Sequence, residues 1–200
     1  MKYVFVKSST DWKMCPEADK PEIALIGRSN VGKSSLINAI LESRGAAKIS
    51  ATPGKTQVIN HFLVENSWYL VDLPGYGYAR VSRSERNKWE KMVRDYLLKR
   101  PNLMMLFLLI DSRIPPQQSD LEFASFAGKN GIPLCLVFTK ADKQSALKSK
   151  ATMDNFSSEM LKEWESLPLM ILSSATSGLG REQILDVMIP ALEAFESGSK

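Results

Sequence analysis

The chain has 200 residues, 44% of them apolar and 24% charged, the balance of a folded domain rather than of a disordered tail. One domain over residues 1–200 is expected, with 1–21 as an N-terminal strand and extension. The longest apolar block, Leu103 to Ile110, is bounded by Pro101 and Asp111 and is far shorter than the ~20 residues that span a bilayer. No signal-peptide apolar segment opens the chain, so no membrane span and a cytoplasmic location are expected. The net charge of +4 is uneven: residues 1–100 carry 17 Lys and Arg against 10 Asp and Glu, and residues 101–200 carry 9 against 12.

Apolar runs of strand length alternate with segments of helical period, which predicts an α/β fold: a mostly parallel sheet with one antiparallel strand and helices on both faces. Strands are expected at residues 3–7, 22–26, 59–65, 68–72, 103–111, 132–139 and 168–173. Helices are expected at 32–42, 84–100, 117–130, 151–164 and 180–196. The second strand runs into Gly27-Arg28-Ser29-Asn30-Val31-Gly32-Lys33-Ser34 and then a helical pattern. This is a phosphate-binding loop. Its glycines let successive N–H groups point inward, Lys33 places an ammonium on the outer phosphates, and Ser34 offers a hydroxyl to Mg²⁺.

Residues 45–57 hold Gly, Ala, Ser, Thr, Pro and Lys without periodicity and read as a long functional or mobile loop. Glu65-Asn66-Ser67 is a short polar connection, so the strands on either side should form an antiparallel hairpin. His61, the one histidine, has no Cys or carboxylate cluster near it in sequence and reads as a packed imidazole rather than a catalytic base. Asp72-Leu73-Pro74-Gly75 closes the next strand at the sheet edge where open α/β folds bind ligands. Asp72 can hold Mg²⁺ directly or through water, and Gly75 can bring its N–H close to a γ-phosphate.

Residues 80–100 carry Arg80, Arg83, Arg86, Lys88, Lys91, Arg94, Lys99 and Arg100 against Glu85, Glu90 and Asp95. Two readings are open, a solvated helix face and a surface for a polyanion such as RNA. Within that helix Trp89, Met92, Val93, Tyr96 and Leu97 recur at helical spacing and form a core stripe. Cys15 and Cys135 make no C-x-x-C pair, and Cys135 lies in a strand-like run, as a buried thiol does. Thr139-Lys140-Ala141-Asp142 ends the sixth strand. The Asp142 carboxylate can accept from both N1–H and the exocyclic amine of guanine, while adenine offers neither donor there, and the Lys140 stem can cover the base. Ser173-Ser174-Ala175 ends the last strand where backbone N–H groups can meet the guanine O6.

These motifs in this order, in the forms GRSNVGKSSLINA, TPGKTQVINHF, VDLPGYGYA, FTKAD and SSATSGLG, resemble the EngB family of bacterial ribosome-biogenesis GTP-binding proteins over nearly the whole chain. The resemblance implies a P-loop GTPase fold, GTP or GDP with Mg²⁺ as ligands, a role in large ribosomal subunit assembly and an association with cell division or septation. It implies that Gly54, Lys55, Thr56, Gln57 and Val58 line the nucleotide and that Thr56 completes the Mg²⁺ shell with Ser34 and Asp72. Thr52 competes for that role; Thr56 is preferred because it lies just before the strand near Val58, where binding would draw the preceding loop over the nucleotide.

Two departures from common small GTPases concern catalysis. Tyr76 follows Gly75 where many relatives carry a water-orienting glutamine, so slow intrinsic hydrolysis is expected. Asn30 stands where potassium-activated relatives place an asparagine that helps hold K⁺, although asparagine also suits turns. The catalytic set is then Lys33, Thr56, Gly75 and Asn30, in a monomer that binds the large ribosomal subunit or its precursor. A GTP-gated scaffold with incidental hydrolysis and a P-loop kinase or ATPase are the rivals, the latter opposed by Asp142.

Overall fold

The computed structural model describes residues 1–43, 45–46, 58–77 and 82–198, without the side chains of 196 and 197. Gly54, Lys55, Thr56 and Gln57, with the competitor Thr52, lie outside the described residues, as does Arg80. The strands are β1 (Tyr3–Ser9), β2 (Glu22–Gly27), β3 (Ile59–Val64), β4 (Trp68–Asp72), β5 (Leu103–Asp111), β6 (Leu134–Thr139) and β7 (Leu169–Leu172). The helices are α1 (Lys33–Ile40), α2 (Arg83–Lys99), α3 (Gln118–Lys129), α4 (Ala146–Met160) and α5 (Arg181–Gly198). Sheet order is β1-β3-β4-β2-β5-β6-β7. β3 alone runs against the rest, paired antiparallel to β1 on one side and to β4 on the other.

β2 and β5 sit at the centre and bury side chains on both faces, which is why they read as unbroken apolar runs. Along β2 the side chains alternate: Ala24 and Ile26 pack in one apolar layer with Tyr96 of α2, Leu108 and Phe156 of α4. Ile23 and Leu25 pack in the other with Ile37 of α1, Val137 and Ile184 of α5. With Ala124 and Ala127 of α3 also in the first layer, three helices cover one face of the sheet and two the other. Cys135 is buried as expected, and burial pushes its thiol up to about 12.

Element boundaries follow capping more than periodicity. α2 starts where Ser82 and Glu85 form a reciprocal capping box. α4 starts at Ala146, five residues before the expected 151, because the Ser145 hydroxyl accepts from Lys148 N at 3.3 Å. Its first turn carries an exposed Leu147 and so lacks the apolar stripe that marks a helix in sequence. β1 continues to Ser9, two residues past the expected end.

At the foot of β2 lies a buried charge. Glu22 is fully buried; its Oε2 accepts from Tyr96 Oη at 2.6 Å and Arg100 Nε at 3.2 Å. Its Oε1 accepts from Arg100 Nη2 and stands 3.2 Å from His61 Nε2. His61 is thus a packed imidazole, as expected, but its carboxylate partner comes from a strand 39 residues away. Arg100 also donates to Pro16 O at 3.0 Å, so this last cation of the basic run belongs to the core. Burial alone would raise the Glu22 carboxyl, but the bonds from His61, Arg100 and Tyr96 outweigh it and hold the group at about 2 instead of 4.5. The carboxylate therefore stabilises the fold above about pH 4.5, and that contribution is lost as pH falls toward 2.

Glu22→Gln should cost about 3–5 kcal/mol at pH 7, because it leaves the Arg100 guanidinium buried without its counter-charge. Urea unfolding at pH 7 and pH 3 checks this: the gap between wild type and variant should shrink at the lower pH. A gap that is absent at pH 7, or that widens on acidification, would contradict the assignment.

Candidate nucleotide site

The candidate residues gather at the C-terminal edge of the parallel strands, where β2, β4, β5, β6 and β7 end. Gly27, the last residue of β2, lies so close to β5 that a Cβ would stand 2.7 Å from Leu109 O. The loop then turns through Asn30 at φ 62° and Gly32 at φ 105°, both left-handed. Gly32 opens α1, and Lys33 and Ser34 form its first turn, where backbone N–H groups have no acceptor within the helix. Curled amides at a helix N-terminus attract anions. Arg28 and Ser29 form the entry of the loop, and the side chain of Val31 is buried in the core.

Lys33 Nζ donates to Asp72 Oδ1, and both side chains are mostly buried. Burial pulls the ammonium down from its ordinary 10.5, but a carboxylate in direct contact favours the charged form, so the pair stands as an ammonium and a carboxylate. Ser34 and Asp72 carry the kind of oxygen donor that a hard divalent cation takes. Among the described residues no three His, Cys, Asp or Glu side chains cluster as a metal site. A divalent ion held here would therefore draw most of its ligands from phosphates and water.

The turn after β4 presses on the phosphate loop. A Cβ on Gly75 would lie 2.9 Å from Gly27 O and 3.4 Å from Ser29 N. Leu73 is fully buried in the core, so only its backbone borders the site. Tyr76 N donates to Gly27 O at 3.2 Å, and Tyr76 O accepts from Ser29 N at 2.9 Å. The Tyr76 phenol is engaged by α3: Oη donates to Asp120 Oδ1 at 2.7 Å, and the ring stacks on Phe123 at 5.3 Å. Asp120 is buried, and burial raises its carboxyl to about 6 against the opposing effects of the Tyr76 bond and Arg28. Sequence reading missed Asp120, whose place in an amphipathic helix gave no sign of a partner 44 residues away.

The strand ends beyond β5 hold the third part. Lys140, at φ 62°, sends its Nζ to Asn30 O at 2.5 Å and to Asp111 Oδ2 at 2.8 Å. Thr139 Oγ1 donates to Val31 O at 2.6 Å. The Asp142 side chain is only 18% exposed; its Oδ1 accepts from Ser174 Oγ at 2.7 Å and its Oδ2 is 3.0 Å from Lys143 Nζ. Those two contacts, Ser174 first, hold the Asp142 carboxyl below its ordinary value. Ala141 N donates to Ser173 O at 3.1 Å, joining the two loops. Ser173 N and Ser174 N already donate to Phe138 O and Leu179 O, so of the three expected N–H donors Ala175 is the one directed to neither acceptor. Asp111 is a second omission of the sequence reading, although it closes an apolar strand just as Asp72 does.

The basic run resolves into separate roles. Arg100 is buried with Glu22, Lys91 and Lys99 both pair with Asp95, and Arg94 lies 4.9 Å over the Phe126 ring. Arg83, Arg86 and Lys88 are exposed in the first turns of α2, without a salt bridge among the described residues.

Residues 22–140 match the protein-family model described as 50S ribosome-binding GTPase. The chain is 53% identical over 182 residues to a GTP-binding protein EngB of Bacteroides thetaiotaomicron, covering 91% of this chain and 90% of that one. A crystal structure described as a GTP-binding protein engB superposes with a TM-score of 0.65 at 22% identity, over 86% of this chain and 99% of that chain. The structure of Era in complex with MgGDPNP and nucleotides 1506–1542 of 16S ribosomal RNA superposes with a TM-score of 0.64 at 22% identity, over 86% of this chain and 56% of that one.

Proposed function

Because the chain belongs to the EngB family of GTP-binding proteins, whose fold and GTPase character it shares, we propose that it is a guanine-nucleotide switch acting in large ribosomal subunit assembly, with a link to cell division. It would work in the cytoplasm as a monomer of one domain. The observation that carries the nucleotide reading is the tie between the two halves of the site: Lys140 bonds Asn30 O of the phosphate loop, and the same turn carries the Asp142 carboxylate, held by Ser174 of the next loop.

In this reading the amides of Asn30 and of Gly32, Lys33 and Ser34, with the Lys33 ammonium, hold the phosphates, since Ser29 N and Val31 N already donate to Tyr76 O and Arg28 O. Ser34 and Thr56, with Asp72 behind them, would hold Mg²⁺, which when bound neutralises charge on the phosphate oxygens. Gly75 turns its N–H to the γ-phosphate, and water attacks that phosphate in line. Hydrolysis is slow, because the Tyr76 phenol is spent on Asp120 and no side chain at that position orients the water. The same observation favours the second reading, a GTP-gated scaffold. Asn30 has an exposed side chain available to K⁺, yet its left-handed turn already explains the residue.

Asp142 selects the base. Competition of GTP, XTP and ATP on wild type should rank GTP first, and Asp142→Asn should lose about 10²-fold for GTP while improving XTP. That factor corresponds to one charge-assisted bond lost and the other reduced to a neutral one, because the amide keeps a single acceptor oxygen. ATP binding as tightly as GTP to the wild type would end the guanine reading.

The family description names the 50S ribosome, and Era, a protein of the same fold, is described with ribosomal RNA. On this chain Arg83, Arg86 and Lys88 offer the matching surface. Replacing all three by Ala should weaken co-sedimentation with ribosomal particles and flatten its log–log salt slope by about 2–3, near one counterion per lost phosphate contact. Nucleotide affinity should stay level. Unchanged particle binding would return α2 to a solvated face.

Single-turnover hydrolysis in KCl and in NaCl at equal ionic strength, with and without particles, separates the mechanisms. The switch reading expects stimulation by particles; the potassium role expects KCl to exceed NaCl. Equal turnover in the two salts removes K⁺, and no effect of particles leaves the scaffold.

A further inference from the structure

Trp89 sits in the apolar stripe of α2, and packing alone accounts for its ring. Its indole N–H has a separate task. Nε1 donates to Pro74 O at 3.1 Å, and that carbonyl belongs to the same planar trans peptide unit as the N–H of Gly75. In a trans unit the carbonyl and the N–H point in opposite directions. Fixing the Pro74 oxygen toward the indole therefore turns the Gly75 N–H away from it. Gly75 itself lies against the phosphate loop, near Gly27 O and Ser29 N, and the Tyr76 backbone bonds those same two residues.

We propose that Trp89 is a positioning residue: its indole N–H sets which edge of the Pro74–Gly75 peptide is offered to the γ-phosphate, and thereby the preference of the site for a nucleoside triphosphate over a diphosphate. The inference rests on the guanine-nucleotide reading above. Rotating this one peptide unit exchanges a donor for an acceptor at the same place. An N–H attracts a phosphate oxygen, and a carbonyl repels it. The rotation needs changes only in ψ of Pro74 and φ of Gly75, and glycine has no Cβ to oppose them. The bond from Nε1 stabilises one of the two orientations. A diphosphate has no γ-phosphate with which to sense the choice.

A half-buried indole N–H also seeks an acceptor for its own sake. That purely structural role predicts a loss of stability with no change in nucleotide preference, so the two roles separate by measurement. Trp89→Phe keeps an aromatic ring beside Tyr76, whose centroid is 6.1 Å away, and removes the donor. Titration calorimetry in Mg²⁺ with GDP and with a non-hydrolysable GTP analogue should show the analogue weakened about 2- to 10-fold, the worth of one neutral hydrogen bond, with GDP affinity retained. Equal changes for both nucleotides, or none, overturn the inference.

Should the variant fail to fold, the wild-type chain supplies the second measurement. With indole ¹⁵N labelling, the Trp89 N–H should exchange with solvent more slowly in the analogue complex than in the GDP complex, and equal exchange overturns the inference as well. A wild-type chain that binds neither nucleotide removes the nucleotide reading and this inference together. Wild-type binding with an unchanged ratio in Trp89→Phe removes the role of Trp89 alone.

Discussion

One ammonium holds the nucleotide edge together. Lys140 Nζ joins the carbonyl of Asn30, in the phosphate loop, to the carboxylate of Asp111, at the end of β5, while its own backbone leaves β6. Three strand ends are fixed relative to one another by charge-assisted bonds, the stronger kind in proteins. Burial disfavours the Asp111 carboxylate, yet Arg113 and Lys140 bring it down to about 2, so the anchor keeps its charge across the physiological range. The turn at Asn30 needs such support. A non-glycine residue at φ 62° is uncommon, and its carbonyl, aimed out of the loop, finds its partner in Lys140.

β2 links this edge to the opposite pole of the sheet. Its C-terminal end carries the phosphate loop, and its N-terminal end carries Glu22, the acceptor for Tyr96, Arg100 and His61. Those donors come from α2, its C-cap and β3, so the strand that delivers the loop also ties down α2 and, across β4, the strand β3. A buried carboxylate is a costly way to stabilise a fold. It is tolerable here because both oxygens are satisfied and the guanidinium is bonded to Pro16 as well. The network makes the placement of α2 specific, since an apolar residue at 22 would pack without choosing a partner.

The sequence made legible what is local. Gly27 to Ser34, Asp72 to Gly75 and Thr139 to Asp142 carry their chemistry within a few residues, and the strand ends that display them follow from apolar runs and turn residues. The hairpin between β3 and β4 was legible for the same reason, and so were both faces of the sheet, because β2 from Ile23 to Ile26 and β5 from Leu103 to Ile110 are apolar without interruption. What stayed hidden depends on residues distant in the chain. Tyr76 reads as a catalytic substitution until Asp120 and Phe123 are seen beneath it. Arg100 counts as surface charge until Glu22 is found 78 residues away. The start of α4 was hidden for a local reason: a serine cap precedes a first turn with no apolar stripe.

These constraints give α2 two unequal ends. Its C-terminal half is held by Tyr96 in the core and by Arg100 on Glu22. Its first turns are exposed and carry the cations that lack a salt bridge among the described residues, and Trp89, at the boundary, touches the Pro74–Gly75 turn. A rearrangement of that turn is therefore resisted at the far end of the helix and accommodated at the near one. The consequence is thermodynamic. A polyanion that binds Arg83, Arg86 and Lys88 more tightly in one nucleotide state must tighten that nucleotide by the same factor, because the coupling between two binding events is reciprocal. Under that reading, loading of the phosphate site and engagement of the basic end of α2 would be two descriptions of one equilibrium, joined at the contact between Trp89 and Pro74.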